Sequence, residues 1–149
     1  MKEHNTDNGK VYDPSTFEHG KPSPADGCGK IINISSVRGI RIIGGGGMGN
    51  VAYNTTKGAV EMLTKAFAAD LRPNIQVNAI GPTITYTPMM VGLLPDNEDV
   101  RNGLAGGLPA QRIGYEIDVV GPAIFLGSAA SDMVTATTIY PDGGLVATS

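Results

Sequence analysis

The sequence predicts an α/β fold built on a parallel β-sheet, and three observations support that prediction. Short apolar runs that suit buried strands occur at three places after the polar N-terminal stretch. The stretch between the first two runs has the four-residue periodicity of a helix, and a second helical stretch precedes the third run. Strand, helix, strand, helix, strand is the order of a parallel sheet whose strands are joined by right-handed crossovers.

Residues 1–29 differ in character from the rest of the chain. They are polar, contain three prolines and four glycines, and lack helical or strand periodicity. We predict them to be a polar loop or the tail of a preceding helix, with the folded part covering residues 30–149. The first predicted strand is KIINISS, which begins at Lys30 and ends in two hydroxyl residues. The glycine-rich residues 37–50 that follow are predicted to be a mobile loop.

A long helix is predicted from Ala52 to Leu71, with Arg72 and Pro73 ending it. Apolar residues that repeat every four positions give this helix one apolar stripe, which consists of Ala59, Leu63, Phe67 and Leu71. The second predicted strand, IQVNAIG, covers residues 75–81 and leads into a long irregular segment.

The remaining predicted elements are a shorter helix and a last strand. The helix covers residues 118–128 and contains Pro122, which either begins its regular part or kinks it. The last strand covers residues 137–140 and is followed by PDGG.

Composition limits the classes of function and location. A chain of 149 residues with 41% hydrophobic and 17% charged residues suits one soluble globular domain. The net charge of -3 argues against nucleic acid or an anionic membrane as a main partner and leaves a small polar substrate open. Cys28 is the single cysteine, and no apolar run suits a signal core or membrane span, so a cytoplasmic setting is expected. His4 and His19 lack metal-ligand spacing, and no metal site is expected.

Four residues carry the candidate chemistry. Tyr53 and Lys57 stand four residues apart near the start of the predicted long helix, so their side chains share one face. A solvated surface pair is the alternative interpretation. The first strand delivers Ser35 and Ser36 to its carboxyl end, the edge where open α/β sheets bind ligands. A hydroxyl that only caps a turn is the alternative for Ser36.

In combination, these residues resemble the short-chain dehydrogenase/reductase family. Its catalytic pattern is a strand hydroxyl, a glycine three residues later and Tyr-x-x-x-Lys in the next helix, present here as SSVRG and YNTTK. VNAIGPTITYTPM, LPAQRIGYEIDVVGPAIFLGS and TIYPDGG resemble later family elements in the expected order, so the resemblance covers residues 29–144. It implies the C-terminal catalytic part of an incomplete Rossmann-like, doubly wound parallel sheet with about three strands and two or more helices.

The resemblance also implies an activity, the NAD- or NADP-dependent interconversion of a secondary alcohol and a ketone. A phenol has an unperturbed pKa near about 10 and is a poor base at neutral pH, but an ammonium one helical turn away favours the phenolate. By resemblance, Tyr53 is the general acid or base, Lys57 also binds the nicotinamide ribose, and Ser36 orients the substrate oxygen. Ser35 fits less well, because the glycine spacing favours Ser36.

Further cofactor contacts are implied on the loop after the second strand. They are Pro82, Thr83, Thr85 and Thr87, for which ordinary loop chemistry is the alternative. Asn78 is expected to brace its strand and not to touch a ligand. Thr83 and Ala136 stand where the family usually has glycine, and a β-branched residue takes a positive φ only at a cost.

The segment from Met89 to Gly114 is interpreted as a substrate lid. Its apolar residues, which include Met89, Met90, Leu93 and Leu94, suggest an apolar cover, and a core or an interface is the alternative.

Counterparts of the family's N-terminal half are missing from the sequence, so we expect a truncated chain without competent turnover by itself. The alternative is an inactive fragment or an interaction subunit that pairs with another chain of the family. Half a sheet leaves KIINISS as an unpaired edge strand. A homo-oligomer formed through the Tyr-Lys helix and the last strand is also expected.

A second nucleotide-binding interpretation rests on Gly44-x-Gly46-x-x-Gly49. This run fits the dinucleotide fingerprint, with Asp70 about twenty residues later. In a true dinucleotide-binding unit the acid closes the second strand, whereas Asp70 lies at the end of the predicted helix. The glycine run is therefore interpreted as matching the fingerprint in spacing alone, and not as a dinucleotide-binding site.

Overall fold

A computed structural model describes residues 29–43, 50–93 and 97–148. The predicted N-terminal loop except Gly29, the glycine run with its fingerprint, Leu94, and both histidines and the cysteine lie outside the described residues. The elements are β1 (Gly29–Ile34), α1 (Asn50–Asp70), β2 (Ile75–Ile80), β3 (Thr85–Tyr86), α2 (Pro88–Leu93), α3 (Glu98–Gly106), β4 (Gly114–Tyr115), α4 (Glu116–Gly127) and β5 (Thr138–Ile139). Short 3-10 turns cover Val37–Gly39, after β1, and also Ala129–Ser131 and Val146–Thr148.

The main sheet is parallel and has the strand order β1-β2-β5. Asn33 donates to Thr64 on α1 (Nδ2 to Oγ1, 3.0 Å), whereas the side chain of Ile32 lies against Gly127 on α4. Successive strand residues point to opposite faces, so α1 and α4 cover opposite faces of the sheet. This confirms the prediction of a partial, doubly wound α/β fold.

One edge of the sheet is open in the described part of the chain. β1 pairs with β2 from Gly29 opposite Ile75 to Ile34 opposite Ile80, and no described strand lies on its other side. Ile34 is 54% exposed there. The predicted unpaired edge strand is therefore present among the described residues.

The apolar stripe predicted for the long helix does not form its buried face. Leu63 and Phe67 are 43% and 41% exposed, whereas the buried residues of α1 are Glu61, Thr64 and Ala68. The buried polar pair is held by hydrogen bonds from the sheet, because Asn33 donates to Thr64 and Thr138 donates to Glu61 (Oγ1 to Oε2, 2.6 Å). The stripe consequently faces away from the sheet.

The segment after β2 is more regular than predicted. β3 and β4 pair in parallel, with Thr85 opposite Gly114, and α2 and α3 lie between them. The prediction of a long irregular segment is wrong for these residues. Two-residue strands show no alternation, and the six-residue α2 is shorter than the window in which helical periodicity can be recognised.

The helix α4 begins at Glu116, two residues before the predicted start. Pro122 therefore lies inside the helix, beyond its first turn, so of the two alternatives the one in which it begins the regular part is wrong. The N-terminus of α4 is fixed by Asp118, which accepts from the backbone N–H of Tyr115 (2.8 Å) and from the Arg112 guanidinium (2.7 and 2.8 Å). These hydrogen bonds, with that of Arg112 the strongest, lower the pKa of Asp118 to about 2.

Asp118→Asn is expected to remove a pH-dependent contribution to stability. A carboxylate whose pKa is depressed on folding stabilises the fold above the unfolded pKa of about 3.9 and loses this contribution as the pH falls through about 2. The melting temperature of the variant should therefore be lower at pH 7 and should converge on that of the wild type near pH 2. Circular dichroism melts across this range measure the difference, and a gap that does not change with pH would contradict the assignment.

The turn before β5 contains Ala136 at φ 59, in the left-handed region that favours glycine. Asn78 holds the two sides of this turn, since it donates to Val134 O (2.8 Å) and accepts from Thr137 N (3.2 Å). Its amide is used within the fold, as expected. Thr83, the other position where a glycine was expected, does not have a positive φ.

Ala136→Gly is expected to stabilise the protein by about 0.5–1 kcal/mol. A left-handed residue with a Cβ costs roughly 1–2 kcal/mol, and the greater freedom of glycine in the unfolded chain offsets part of the gain. Urea denaturation measures the change in the free energy of unfolding. Ala66→Gly, on the exposed side of α1, is the matched control and should lower stability by about 1 kcal/mol. Equal losses for both variants would refute the strain at Ala136.

Within the described residues, no helix has the length and apolar character that a membrane span requires. Among the same residues, no three or more His, Cys, Asp or Glu side chains are grouped as metal ligands.

Candidate active site

The carboxyl end of β1 delivers two buried serines that have different surroundings. Ser36 accepts from the backbone N–H of Arg38 (3.2 Å) and donates to Pro82 O (3.5 Å). Ser35 instead donates to Lys57 O on α1 (3.3 Å). Ser36 therefore caps the 3-10 turn and faces the loop after β2, and Ser35 holds the helix. Ser36 Oγ does cap the turn, as the alternative interpretation expected. The same hydroxyl also lies beside Pro82, the first residue of the candidate cofactor loop.

Tyr53 and Lys57 lie in the first two turns of α1. The Lys57 ammonium donates to Ile34 O, the last carbonyl of β1 (2.9 Å), and lies 5.8 Å from the centroid of the Tyr53 ring. Tyr53 itself is 43% exposed. Lys57 is thus fixed between the strand end and the tyrosine, which a solvated surface pair would not require. Ile34 takes one of the three N–H donors of the ammonium.

Gly39 explains how the turn and the helix approach each other so closely. A Cβ at this position would lie 2.8 Å from Lys57 O and 2.9 Å from Lys57 C, closer than real contacts allow. Gly58, the next residue of α1, would place its own Cβ 3.3 Å from Gly39 O. The glycine three residues after Ser36 therefore lets the serine-bearing turn lie directly on the backbone of the lysine.

The segment from Pro82 to Thr87, which leads through β3 to α2, contacts the serine-bearing turn through its first residue. Pro82 O accepts from Ser36 Oγ and from the backbone N–H of Val37 (3.2 Å). Farther along, Thr85 donates to Thr83 O (3.0 Å), and Thr87 accepts from Met90 N at the start of α2 (3.3 Å). Pro82 is brought next to Ser36, whereas the threonine hydroxyls are engaged within the loop and the first turn of α2.

Two cavities flank this loop. The smaller, about 170 Å³, contains Thr83 and the Arg112–Asp118 ion pair. The larger, about 600 Å³, is an open cleft lined by Tyr86, Thr87, Pro88, Val91, Tyr115, Glu116 and Ile117. It lies along α2, the beginning of the predicted lid. Met89 of this lid is 70% exposed and Met90 is half-buried, and the side chain of Leu93 is outside the described part.

Sequence reasoning missed two charged residues close to the catalytic candidates. Glu61, one turn beyond Lys57, is 8% exposed and lies beside Tyr140. Burial, followed by the charge of Glu61, raises the pKa of Tyr140 to about 12. Arg38 lies on the turn after Ser36 and donates to Asn50 at the start of α1. No sequence pattern marked Glu61, because the same face of α1 also carries the polar residues Lys57 and Thr64.

Comparisons with known proteins place this chain among relatives of known sequence and structure. A family model described as enoyl-(acyl carrier protein) reductase matches residues 15–146. The 2-dehydro-3-deoxy-D-gluconate 5-dehydrogenase of Formosa agariphila is 38% identical over 122 residues, which are 81% of this chain and 45% of that protein. The 5-keto-D-gluconate 5-reductase of Escherichia coli K12 is 39% identical over 121 residues, 80% of this chain and 45% of that protein.

A solved structure extends the similarity to the fold. The gluconate 5-dehydrogenase of Burkholderia cenocepacia, crystallised with NADP and tartrate, superposes with a TM-score of 0.72 at 40% identity. The match covers 83% of this chain and 47% of that one. The chain thus spans about half the length of the curated relatives and solved structures that it matches.

Proposed function

The chain belongs to the short-chain dehydrogenase/reductase family, and on that premise we propose that it carries the catalytic residues of an NAD(P)-dependent interconversion of a secondary alcohol and a ketone. The observation that carries this proposal is the position of Lys57. Its ammonium is hydrogen-bonded to the end of the strand that bears Ser36 and lies against the ring of Tyr53. Lys57 thereby links Tyr53 on α1 to the end of β1, two residues before Ser36.

Each residue has a role in this proposal. Tyr53 gives a proton to the substrate oxygen or takes one from it at its phenol oxygen, while its ring is half-exposed. Ser36 orients the same oxygen through its hydroxyl. Lys57 holds its ammonium 5.8 Å from the centroid of the Tyr53 ring, on the side of the strand end. Because the fold holds Lys57 through Ile34 O, its position does not depend on a bound ligand.

The family uses NAD or NADP, and the residues of this chain fit such a cofactor. When bound, the nicotinamide supplies or accepts the hydride. The two remaining donors of Lys57 suit ribose hydroxyls. The segment from Pro82 to Thr87, including Thr83 and Thr85, would meet the carboxamide and phosphates through its backbone groups and through the Thr87 hydroxyl, which keeps its hydrogen to donate. Tyr53 completes the set of proposed cofactor contacts. Between NAD and NADP, the relatives crystallised with NADP favour NADP.

For the substrate, we propose a polyhydroxylated acid or its keto form. Three of the similar proteins are named for gluconate, 5-keto-D-gluconate and 2-dehydro-3-deoxy-D-gluconate, all of which are sugar acids. The exposed Met89 and the two tyrosines of the open cleft do not form a closed apolar cover. A substrate in this open cleft would stay in contact with solvent, and the proposal of a sugar acid rests on the similar proteins.

Nucleotide binding and turnover test the proposal. Purified protein is titrated with NADH and NADPH while cofactor fluorescence is followed, and is then assayed with 5-keto-D-gluconate and a panel of neutral ketones. The same measurements are made on a form extended by any in-frame upstream codons. Saturable binding and ketone reduction by either form support the proposal. Neither activity in either form would reject it in favour of an interaction subunit, for which the open edge of β1 is the supporting observation.

We also propose a homo-oligomer that covers the apolar stripe of α1. Leu63 and Phe67 of this stripe are 43% and 41% exposed, and the neighbouring Met62 is 65% exposed. Exposed apolar residues grouped on one helix favour burial in an interface. Sedimentation equilibrium at several concentrations should give a mass of two or more chains, and a monomer at all of them would reject the oligomer.

A further inference from the structure

Arg38 lies between the two elements that carry the catalytic candidates. Its backbone N–H donates to Ser36 Oγ (3.2 Å), and its guanidinium donates to the side-chain oxygen of Asn50. Asn50 is the first residue of α1 and precedes Tyr53 by three positions, so the two share a helix face. The guanidinium therefore reaches from the serine-bearing turn to the helix turn that bears the tyrosine.

The positive charge of Arg38 has no acidic partner in the described part of the chain. Lys30 pairs with Asp132 (2.8 Å), and Arg112 pairs with Asp118 (2.7 Å), whereas the hydrogen bond of the Arg38 guanidinium goes to a neutral amide. The residue is half-buried, and a partly desolvated charge is costly without an opposite charge. A guanidinium has five N–H donors, and Asn50 accounts for one of them.

We infer that Arg38 binds the carboxylate of the substrate and thereby makes this site selective for hydroxy and keto acids. The inference rests on the proposed function for the location of the reacting carbon near Ser36 and Tyr53. Arginine suits this task because its planar fork of donors matches a carboxylate bidentately. The substrate anion would supply the negative charge that the described residues do not provide.

Arg41 provides an internal comparison on the same loop. Its guanidinium donates to Leu145 O near the C-terminal end of the chain and not to α1. The two arginines have the same charge and are three residues apart, but among the described residues the guanidinium of Arg38 bonds to the tyrosine-bearing helix and that of Arg41 does not. Selectivity for an anion that arises from local geometry should depend on Arg38, whereas a general attraction by positive charge should depend on both.

Equilibrium binding of a matched pair of ligands tests the inference. D-Gluconate and D-sorbitol differ only at carbon 1, where one has a carboxylate and the other a neutral hydroxymethyl group. Isothermal titration of the full chain is carried out with NADPH present, which cannot oxidise either ligand. We expect gluconate to bind about ten- to a hundred-fold more tightly than sorbitol, the range of a charge-assisted hydrogen-bonded pair.

The variants identify which arginine is responsible. Arg38→Gln should abolish the preference for gluconate, Arg38→Lys should keep part of it, and Arg41→Gln should leave it unchanged. Circular dichroism melts verify that each variant is folded. Equal affinity for the two ligands in the wild type, no binding of either, or a preference that survives Arg38→Gln would overturn the inference, as would an equal loss in Arg41→Gln. The proposed function is tested by a separate measurement, and it would be rejected if no turnover that depends on Tyr53 were found.

Discussion

Tyr53→Phe is expected to lower ketone reduction by about 10²- to 10⁴-fold, the contribution of a positioned general acid or base. The change removes one hydroxyl and keeps the ring that lies 5.8 Å from the Lys57 ammonium. Lys57 remains hydrogen-bonded to Ile34 O, so cofactor affinity should change little. Steady-state kinetics with NADPH and 5-keto-D-gluconate, together with a fluorescence titration of NADPH, separate the two effects. The measurement uses whichever form of the protein shows turnover.

Tyr140→Phe is the matched control for the loss of a phenol hydroxyl. Tyr140 follows β5, where its hydroxyl lies near Glu61 and its ring covers Gly81, and it has no contact with Ser36 or Lys57 among the contacts described. Its removal should leave turnover within about twofold, because it changes neither the proton donor nor its neighbours. Similar rates for Tyr53→Phe and the wild type would show that another group transfers the proton, even if both variants bind NADPH normally.

The main sheet and its long helix could be predicted because their patterns are strong and local. The predicted helix from Ala52 to Leu71 differs from α1 by two residues at its start and one at its end, and IQVNAIG contains β2. What could not be predicted is which helix face is buried. Hydrogen bonds from Asn33 and Thr138 compensate the burial of Thr64 and Glu61, and those partners are supplied by tertiary structure.

The sequence shows the order of the candidate site residues but not the contacts between them. The order of Ser36, Gly39, Tyr53 and Lys57 is visible in the sequence. The bond from Lys57 to a strand carbonyl and the reach of Arg38 to Asn50 depend on how the turn lies on α1, which no local pattern specifies. The short α2 and α3 and the two-residue strands are too short to show a detectable hydrophobic period. Packing against partner segments stabilises them, and the local sequence does not specify that packing.

Gly39→Ala is expected to destabilise the protein by about 1–3 kcal/mol, the range of an overpacked contact. The new methyl group would lie 2.8 Å from Lys57 O and 3.1 Å from the Cγ of Glu61. The side chain of Glu61 can move, but the Lys57 carbonyl belongs to the helix backbone and can yield only if the turn and α1 separate. Urea denaturation measures the loss, and NADPH affinity should fall as well, because the same separation displaces Lys57 from Ile34 O.

Gly103→Ala distinguishes this contact from a general effect of glycine substitution. Gly103 lies inside α3, and a Cβ there would have no neighbour within 4 Å. The substitution should stabilise the protein by up to about 1 kcal/mol, since alanine favours a helix interior over glycine. Opposite signs at the two positions would trace the loss at Gly39 to its contact with Lys57. A neutral Gly39→Ala would instead show that the turn has room to move away from α1, and the lysine would then have to be positioned by its bond to Ile34 O alone.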